Sequence, residues 1–207
     1  MKATQKRRIV CLIGTFAAVV LIVVFSTDML LYKVAVEIQT KRVCGALEVR
    51  TRLIEVNIIR RLGQTQRRDS QMLLAIENEV VEEMRQVNEE SYRGLGQPLE
   101  FVWGLRQGSE IKFLLPLRHS KASSIPFNSY MGEPMKLALN GQSGTNIGLD
   151  YRGEKVLAAY APINFLGRHY GLVSKVDLTE LQAPFIRFGV IAFLLALVLI
   201  IAGAFFF

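Results

Sequence analysis

The chain has 207 residues, of which 51% are hydrophobic and 21% charged, and its net charge is +7. Four of the positive charges fall on the first eight residues, and the remaining 21 basic and 18 acidic residues leave an excess of only three. So modest an excess gives no sign of a nucleic-acid partner. Two cysteines, Cys11 and Cys44, do not make a disulfide framework, although Cys44 could bridge two chains in an oxidising compartment.

Two uncharged apolar runs, residues 9–25 and 189–207, lie at opposite ends of the chain. As helices rising about 1.5 Å per residue, they would cover roughly 26 and 28 Å, close to the ~30 Å hydrocarbon core of a bilayer. A cleaved signal peptide is the alternative for the first run. That run is longer than the usual apolar core of a signal peptide, however, and no clear small-x-small cleavage site follows it. We therefore predict transmembrane helices at residues 9–27 and 189–207.

The basic residues at the start of the chain predict its orientation. Lys2, Lys6, Arg7 and Arg8 precede the first apolar run, and no acidic residue accompanies them. Loops rich in lysine and arginine stay on the cytoplasmic side of a membrane. We expect residues 1–8 to form a cytoplasmic basic tail, residues 28–188 to lie outside, and the second run to bring the chain back.

The chain between the two apolar runs divides into a helical part and a part with short strands. Residues 28–92 contain no proline and little glycine, which predicts a long helix to about Leu62 and, beyond a break at Gly63, a second helix capped by Asp69 or Ser70. The second helix has an apolar stripe at helical spacing, made of Leu73, Ile76, Val80, Met84 and Val87.

From residue 99 onward the pattern changes to short strands and turns, which predicts a sheet over residues 99–177. The predicted strands are residues 99–105, 111–117, 146–151, 155–163 and 169–177, with a loop at 118–134 and a short helical turn at 135–140. A helix begins at Leu178 and leads through Pro184 into the second apolar run. The expected class is α+β: an antiparallel sheet with a long N-terminal helix, flanked by two transmembrane helices.

Four phrases in the last third of the chain resemble a known family. They read LNGQSG at residues 139–144, GLDYRG at 148–153, VLAAYAPI at 156–163 and GLVSKVDLTE at 171–180. Their order resembles the last three strands and exit helix of the extracytoplasmic PAS-like (Cache-type) sensor domains of bacterial transmembrane signalling receptors. The resemblance covers about 45 residues closely, and the long first helix and the two flanking spans match that architecture more loosely.

The resemblance implies both a fold and a function. In that family the outer domain binds a small solute or a periplasmic partner protein on one face of its sheet, and a histidine kinase, cyclase or chemotaxis module follows the second span. We therefore expect the ligand-sensing input module of such a receptor, homodimeric in the bacterial inner membrane, with the output module beyond Phe207. A two-anchor structural or assembly protein with an extracytoplasmic docking domain is the alternative.

No catalytic or metal-binding pattern emerges from the sequence. The two histidines, His119 and His169, have no metal-ligand spacing, and we predict no cofactor. Ser109 and Lys112 fit S-x-x-K formally, but they lie at a strand start, where a helix-borne nucleophile is not expected. The expectation is that these residues are not an enzyme.

Polar groups that converge on a concave, partly apolar face are the expected form of a ligand site. The predicted ligand-binding residues are Arg118, Tyr130, Trp103, Asp150 and Tyr160, chosen from a wider set that also holds Tyr151, Arg152 and Lys175. Structural roles are the alternative: Trp103 could pack in the core, and Asp150 could stabilise its hairpin by hydrogen bonds. For signal transmission we predict the junction formed by Asp177, Leu178 and Glu180, where the last strand meets the exit helix.

Overall fold

The computed structural model describes residues 2–63, 70–93, 99–165 and 167–206. The elements in chain order are α1 (Lys2–Gly63), α2 (Ser70–Arg93), β1 (Glu100–Gln107), β2 (Glu110–Phe113), β3 (Ser124–Pro126), α3 (Glu133–Leu139), β4 (Gly144–Leu149), β5 (Lys155–Phe165), β6 (Arg168–Asp177) and α4 (Leu178–Phe206). The chain forms two compact units. One comprises Met1–Ile38 with Glu180–Phe207, and the other comprises Gln39–Thr179.

The first unit consists of the N-terminal part of α1, up to Ile38, and of α4 from Glu180 onward. Both helices contain an apolar window long enough to cross a bilayer by length and composition, and only 6% of each window is buried. The apolar core helix of a soluble protein would be mostly buried, and these two windows are not. Within this unit Gln182 donates a hydrogen bond to the Tyr32 hydroxyl, and the Tyr32 and Phe185 rings meet edge to face.

The second unit is built on a six-stranded antiparallel sheet in the order β3-β2-β1-β6-β5-β4. Because successive side chains of a strand point to opposite faces, each central strand contributes to two separate cores. In β1, Phe101 and Trp103 face one way, whereas Val102 faces the other. The predicted α+β class and antiparallel sheet are confirmed.

One face of the sheet packs against the two long helices. The apolar stripe of α2 supplies Ile76, Val80 and Met84, as its spacing predicts. The part of α1 that belongs to this unit contributes a second buried stripe, made of Val43, Leu47, Ile54 and Ile58. This helix face of the sheet is therefore closed by apolar packing.

The opposite face carries the short helix α3, which two facing glycines admit. Gly104 of β1 and Gly171 of β6 are direct cross-strand neighbours. A Cβ at Gly171 would lie 2.6 Å from the Met135 sulfur, and one at Gly104 would lie 3.1 Å from it. The absence of both side chains lets Met135 of α3 pack directly onto the sheet.

Two predicted elements differ from the structure. The second strand ends at Phe113, well short of residue 117, and the region expected to be a loop contains the edge strand β3. Both differences lie at the sheet edge, where Pro126 occupies β3 and Pro116 follows β2. Proline lacks the N–H that a ladder requires, so strands beside it stay short. Asp69, one of the two predicted helix caps, lies outside the described residues.

Candidate functional site

A tight turn between β4 and β5 carries three polar residues in succession, Asp150, Tyr151 and Arg152. The Asp150 N–H donates to the Glu154 carbonyl at 2.9 Å, and the Gly153 N–H donates to the Asp150 carbonyl at 3.0 Å. Gly153 has a φ of 82°, in the left-handed region that glycine adopts without strain. The turn thus fixes the three side chains over the α3 face of the sheet.

A buried ion pair links the two central strands beneath this turn. Glu100 of β1 and Lys175 of β6 are direct cross-strand partners, and the Lys175 Nζ lies 2.8 Å from the Glu100 Oε2. The same Nζ lies 2.6 Å from the Asp150 Oδ2. All three residues are at most 3% exposed. Charges this deeply buried are stable only when paired and hydrogen-bonded.

Arg152 extends the ion pair to the end of β6. Its guanidinium contacts the Asp150 Oδ2 at 2.8 Å and the Asp177 Oδ1 at 2.6 Å. We call the five residues Glu100, Asp150, Arg152, Lys175 and Asp177 the charged cluster. With three carboxylates and two cations, the ionised cluster has a formal charge of −1.

Tyr151 connects the charged cluster to the loop after β2. Its hydroxyl donates to the Glu100 carboxylate at 2.8 Å and accepts from the His119 N–H at 3.2 Å. The Arg118 N–H also donates to Glu100, at 2.9 Å. The Tyr151 ring lies 4.6 Å from the Lys175 Nζ, a cation–π distance. Loop, turn and sheet therefore meet at one carboxylate.

The surroundings shift the proton affinities of three of these groups. Burial acts to raise the pKa of Asp150, but the Lys175 charge and the hydrogen bonds from Lys175 and Arg152 outweigh it, so the pKa is lowered. Burial, followed by the negative charge of Glu100, raises the pKa of the Tyr151 phenol. Burial opposes the charge of Arg152, yet its hydrogen bonds to Asp177 and Asp150 raise its pKa. Asp150 and Arg152 are therefore held charged, and Tyr151 is held neutral.

A small cavity adjoins the charged cluster. Its volume is about 20 Å³, which is room for about one water molecule. Its lining includes Asp150, Tyr151 and Lys175, together with Met135 of α3 and Phe113 of β2. The cavity thus lies between the sheet, α3 and the β4–β5 turn.

Two larger open grooves occur elsewhere in the second unit. One, of about 850 Å³, is bordered by Arg106, Lys112 and Arg168 together with Glu77. The other, of about 500 Å³, runs between α1 and the β4 edge, past Glu48 and Tyr160. Both are surface features with mixed linings, whereas the small cavity directly adjoins buried charges. Among the residues that the structure describes, no group of three or more His, Cys, Asp or Glu side chains could hold a metal ion.

The structure brings together only some of the residues predicted to bind ligand. Asp150 lines the small cavity, and Arg118 meets the cluster through its backbone N–H while its side chain is exposed. Tyr160 is buried on the same sheet face but borders the open groove beside β4. Tyr130 is exposed and lies next to the β4–β5 turn, where a Cβ at Gly153 would come 3.3 Å from its ring.

Trp103 is separated from the other predicted ligand residues by the sheet itself. It is fully buried on the helix face, where its ring contacts Phe165 and Tyr170. Strand alternation explains this position, because Trp103 and Val102 are adjacent in sequence and must face opposite ways. These surroundings match the structural alternative for Trp103, in which its side chain packs in the core.

Glu100 is the cluster residue that the sequence analysis did not single out. It is the one acidic residue in the otherwise apolar strand prediction at residues 99–105. Lys175 is likewise the one basic residue in the run GLVSKV of the last strand. Each of these two apolar strands contains a single charged residue, and the two charges are opposite in sign. That signal could have indicated that Glu100 and Lys175 pair across neighbouring strands.

The predicted transmission residues lie where β6 ends. Asp177 closes the strand and accepts from Arg152, and α4 begins at the very next residue, Leu178, which is buried. Glu180 lies in the first turn of α4, where a negative charge is favourable to the helix dipole. The charged cluster therefore ends at Asp177, the residue immediately before α4.

Comparisons with solved structures found distant similarity to domains that include a GAF domain and the sensory domain of a chemoreceptor. The second GAF domain of DevS from Mycobacterium smegmatis matches with a TM-score of 0.34 and 16% identity, over 61% of this chain and 96% of that one. The sensory domain of the Campylobacter jejuni chemoreceptor Tlp3 (CcmL) matches with a TM-score of 0.32 and 13% identity, over 73% and 66%. No protein-family model and no curated protein matches the chain.

Proposed function

We propose that this chain is the extracytoplasmic ligand-sensing input module of a bacterial transmembrane receptor. In this proposal the apolar windows of α1 and α4 span the inner membrane, and residues 28–188 lie outside. Four basic residues before the first window and none of the opposite sign support cytoplasmic termini. The chain then inserts a folded domain between two membrane anchors.

The observation that carries the proposal is the position of the charged cluster. It borders a cavity on one side, and on the other it holds Asp177, the residue immediately before α4. A solute that entered the cavity would contact Asp150, Tyr151 or Lys175 and alter their contacts with one another. Because Arg152 bridges Asp150 and Asp177, such a change reaches the start of α4 through two ion pairs.

Binding requires the cavity to enlarge, because its present volume matches about one water. In this proposal the wall that moves is the segment between β2 and α3, which is held to the cluster by the Arg118 and His119 N–H groups. A solute that stabilises an open arrangement of this segment shifts the population between two states of the domain. The shift is limited to the difference in the solute's affinity for those two states.

The test is a thermal-shift screen of small solutes on the full chain in lipid nanodiscs, with the single tryptophan, Trp103, as the fluorescent reporter. We expect at least one solute to raise the melting temperature in a concentration-dependent way. Tyr151→Phe, which removes the hydroxyl that bridges Glu100 and His119, should weaken that solute's effect. Tyr130→Phe is the matched control and should leave it unchanged, because Tyr130 is exposed outside the cavity.

The alternative function is a two-anchor assembly protein whose outer domain docks onto a neighbouring protein. Two observations favour it: the members of the charged cluster pair with one another, and the two grooves of about 850 and 500 Å³ are open at the surface. A screen in which no solute stabilises the chain, while crosslinking recovers one constant protein partner, would select this alternative. A membrane-tethered enzyme has only Ser109 and Lys112 in its favour, and unchanged turnover in Ser109→Ala would remove it.

A further inference from the structure

A groove of about 710 Å³ runs between α1 and α4 within the first unit. Its apolar part includes Leu21 and Val24 of α1 and Val190 and Phe193 of α4. Asp28, one turn beyond Val24, is the one charged residue among the described residues that line it. We call this feature the interhelical groove. It combines long apolar walls with a single carboxylate.

The polar end of the interhelical groove has hydrogen-bonding capacity that the chain itself does not use. A Cβ added at Gly189 of α4 would lie 3.8 Å from the Asp28 Oδ2, so the carboxylate reaches across the groove toward the facing helix. Gln182 donates to the Tyr32 oxygen at 3.0 Å, which leaves the Tyr32 O–H free to donate elsewhere.

Asp28 has no counter-charge within the part of the chain that the structure describes. It has neither an ion-pair nor a hydrogen-bond partner there, and Lys33 and Arg187, basic residues close by in sequence, do not line the groove. A carboxylate beside apolar walls is costly unless a donor pairs with it. The missing donor must therefore come from outside these residues, and a cation would suit it best.

The interhelical groove crosses the level at which the predicted spans end. Asp28 and Tyr32 lie one and five residues beyond the first predicted span, which is about 1.5 and 7.5 Å along a helix. The polar headgroup layer of a bilayer is about 5–8 Å deep on each side of its hydrocarbon core. Leu21 and Phe193 fall inside the predicted spans. The polar end thus matches the headgroup layer, and the apolar end matches the lipid chains.

We propose that the interhelical groove holds one phospholipid of the outer leaflet whose headgroup carries a primary ammonium. The ammonium donates to the Asp28 carboxylate, the Tyr32 O–H donates to the lipid phosphate, and one acyl chain lies against Val24 and Phe193. This proposal rests on the membrane topology of the proposed function and does not depend on solute sensing.

Native mass spectrometry of the full chain tests the choice of lipid. The chain is released from nanodiscs that contain equal amounts of phosphatidylethanolamine, phosphatidylcholine and phosphatidylglycerol, and the lipids that stay bound are identified by mass. We expect phosphatidylethanolamine to be retained in preference to the other two. The ammonium of phosphatidylcholine has no N–H to donate, and the headgroup of phosphatidylglycerol has no amine.

Removal of the carboxylate tests the role of Asp28. Asp28→Asn keeps the side-chain shape, and acidic residues contribute little to orientation, so the topology should persist. Retention of phosphatidylethanolamine should fall roughly tenfold, the loss expected when one hydrogen bond to a charged group is removed. Glu180→Gln is the matched control, because Glu180 is an exposed acid of the same unit that does not line the groove.

Two substitutions at Gly189 test whether the lipid occupies the groove itself. Gly189→Ala adds only a Cβ at ordinary contact distance from Asp28, so it should leave lipid retention unchanged. Gly189→Leu fills the groove while keeping the carboxylate, and it should abolish the preference for phosphatidylethanolamine. Both residues are good helix formers, so neither substitution weakens α4.

Several results would overturn the lipid site. These are equal retention of the three lipids, equal effects of Asp28→Asn and Glu180→Gln, unchanged retention in Gly189→Leu, or a lipid-free mass of two chains, which would place a second copy in the groove. The topology is measured separately, through labelling of the native Cys44. If that labelling confirms the topology and lipid preference is absent, the lipid proposal falls alone and solute sensing stands.

Discussion

Lys175 is the residue on which the charged cluster depends. Its ammonium group, almost wholly removed from water, lies within 2.8 Å of two carboxylates, one on strand β1 and one on the β4–β5 turn. Removing one member of a buried ion pair leaves the other charges without compensation. That loss costs more than the pair itself contributes, because the remaining charges were already dehydrated on folding.

Lys175→Met should therefore lower the free energy of unfolding by about 3–5 kcal/mol. The methionine keeps much of the side-chain volume, so the loss reflects the missing charge and not a cavity. Urea denaturation followed by the fluorescence of Trp103, buried in the same unit, measures it. Lys155→Met is the control, since Lys155 is exposed and should change stability by no more than about 0.5 kcal/mol. Equal effects of the two variants would contradict the assignment.

The lowered pKa of Asp150 predicts a loss of stability in acid. In the unfolded chain an aspartate has its ordinary pKa of about 3.9. Just below that pH the unfolded state therefore binds a proton at Asp150, whereas the folded state still holds Asp150 as a carboxylate. The stabilisation is present above the ordinary pKa and is lost as the pH falls through the lower, folded value. Asp150→Asn should thus be less stable than the parent at pH 7, and the gap should narrow toward pH 3. A constant gap across this range would show that Asp150 does not titrate as described.

At the scale of elements, the position of α3 depends on the glycine pair of the central strands. A Cβ added at Gly171 would lie 2.6 Å from the Met135 sulfur and 3.1 Å from the Ala138 Cβ. Distances this short require the Met135 side chain, the helix or the sheet to shift. Since α3 forms one wall of the small cavity, the glycine pair also determines the shape of the candidate site.

Gly171→Ala should therefore destabilise the second unit by about 1–3 kcal/mol, the usual cost of overpacking a core. Met135→Ala alone should also destabilise it, by about 2–5 kcal/mol, because it leaves a cavity. In the double variant the two effects should partly cancel, since the shortest clash disappears. Denaturation of all four proteins gives the coupling free energy. Strict additivity would show that Met135 does not confine the glycine.

The long elements could be predicted from the sequence because each has a strong local signal. The end of α1 near Leu62, the start of α2 at Ser70 and the last strand through Asp177 follow from glycine breaks, capping residues and apolar periodicity. The three-residue strand β3 could not be predicted, since it forms only by pairing with β2 and its own residues favour a loop. Its existence is a tertiary effect.

The candidate site could be predicted only in part, for a similar reason. The sequence identifies four polar residues as candidates because they lie in the motifs that resemble Cache-type domains: Asp150, Tyr151, Arg152 and Lys175. Which face each side chain takes depends on strand register, and a shift of one residue reverses every face. Trp103 lay on the opposite face for that reason, and Glu100 became visible only once β1 was aligned against β6.

At the scale of the whole molecule, the account depends on where the second unit lies relative to a membrane. Two helices meet the length and composition needed to span a bilayer, and β6 passes into the second of them without a connecting loop. In the proposed topology, with the second unit outside the membrane and both termini inside, a change at the charged cluster would pass to the cytoplasm through α4. The same domain on the cytoplasmic side could sense no extracytoplasmic solute.

Thiol labelling in intact cells tests this placement most directly, because Cys44 is a free, exposed cysteine of the second unit. In a Cys11→Ser background, the account predicts that a membrane-impermeant maleimide labels Cys44 in cells whose inner membrane is sealed. A second chain with Cys44→Ser and Thr4→Cys should be labelled only after the membrane is permeabilised. The reverse pattern, with Thr4→Cys labelled in sealed cells and Cys44 protected, would contradict the account.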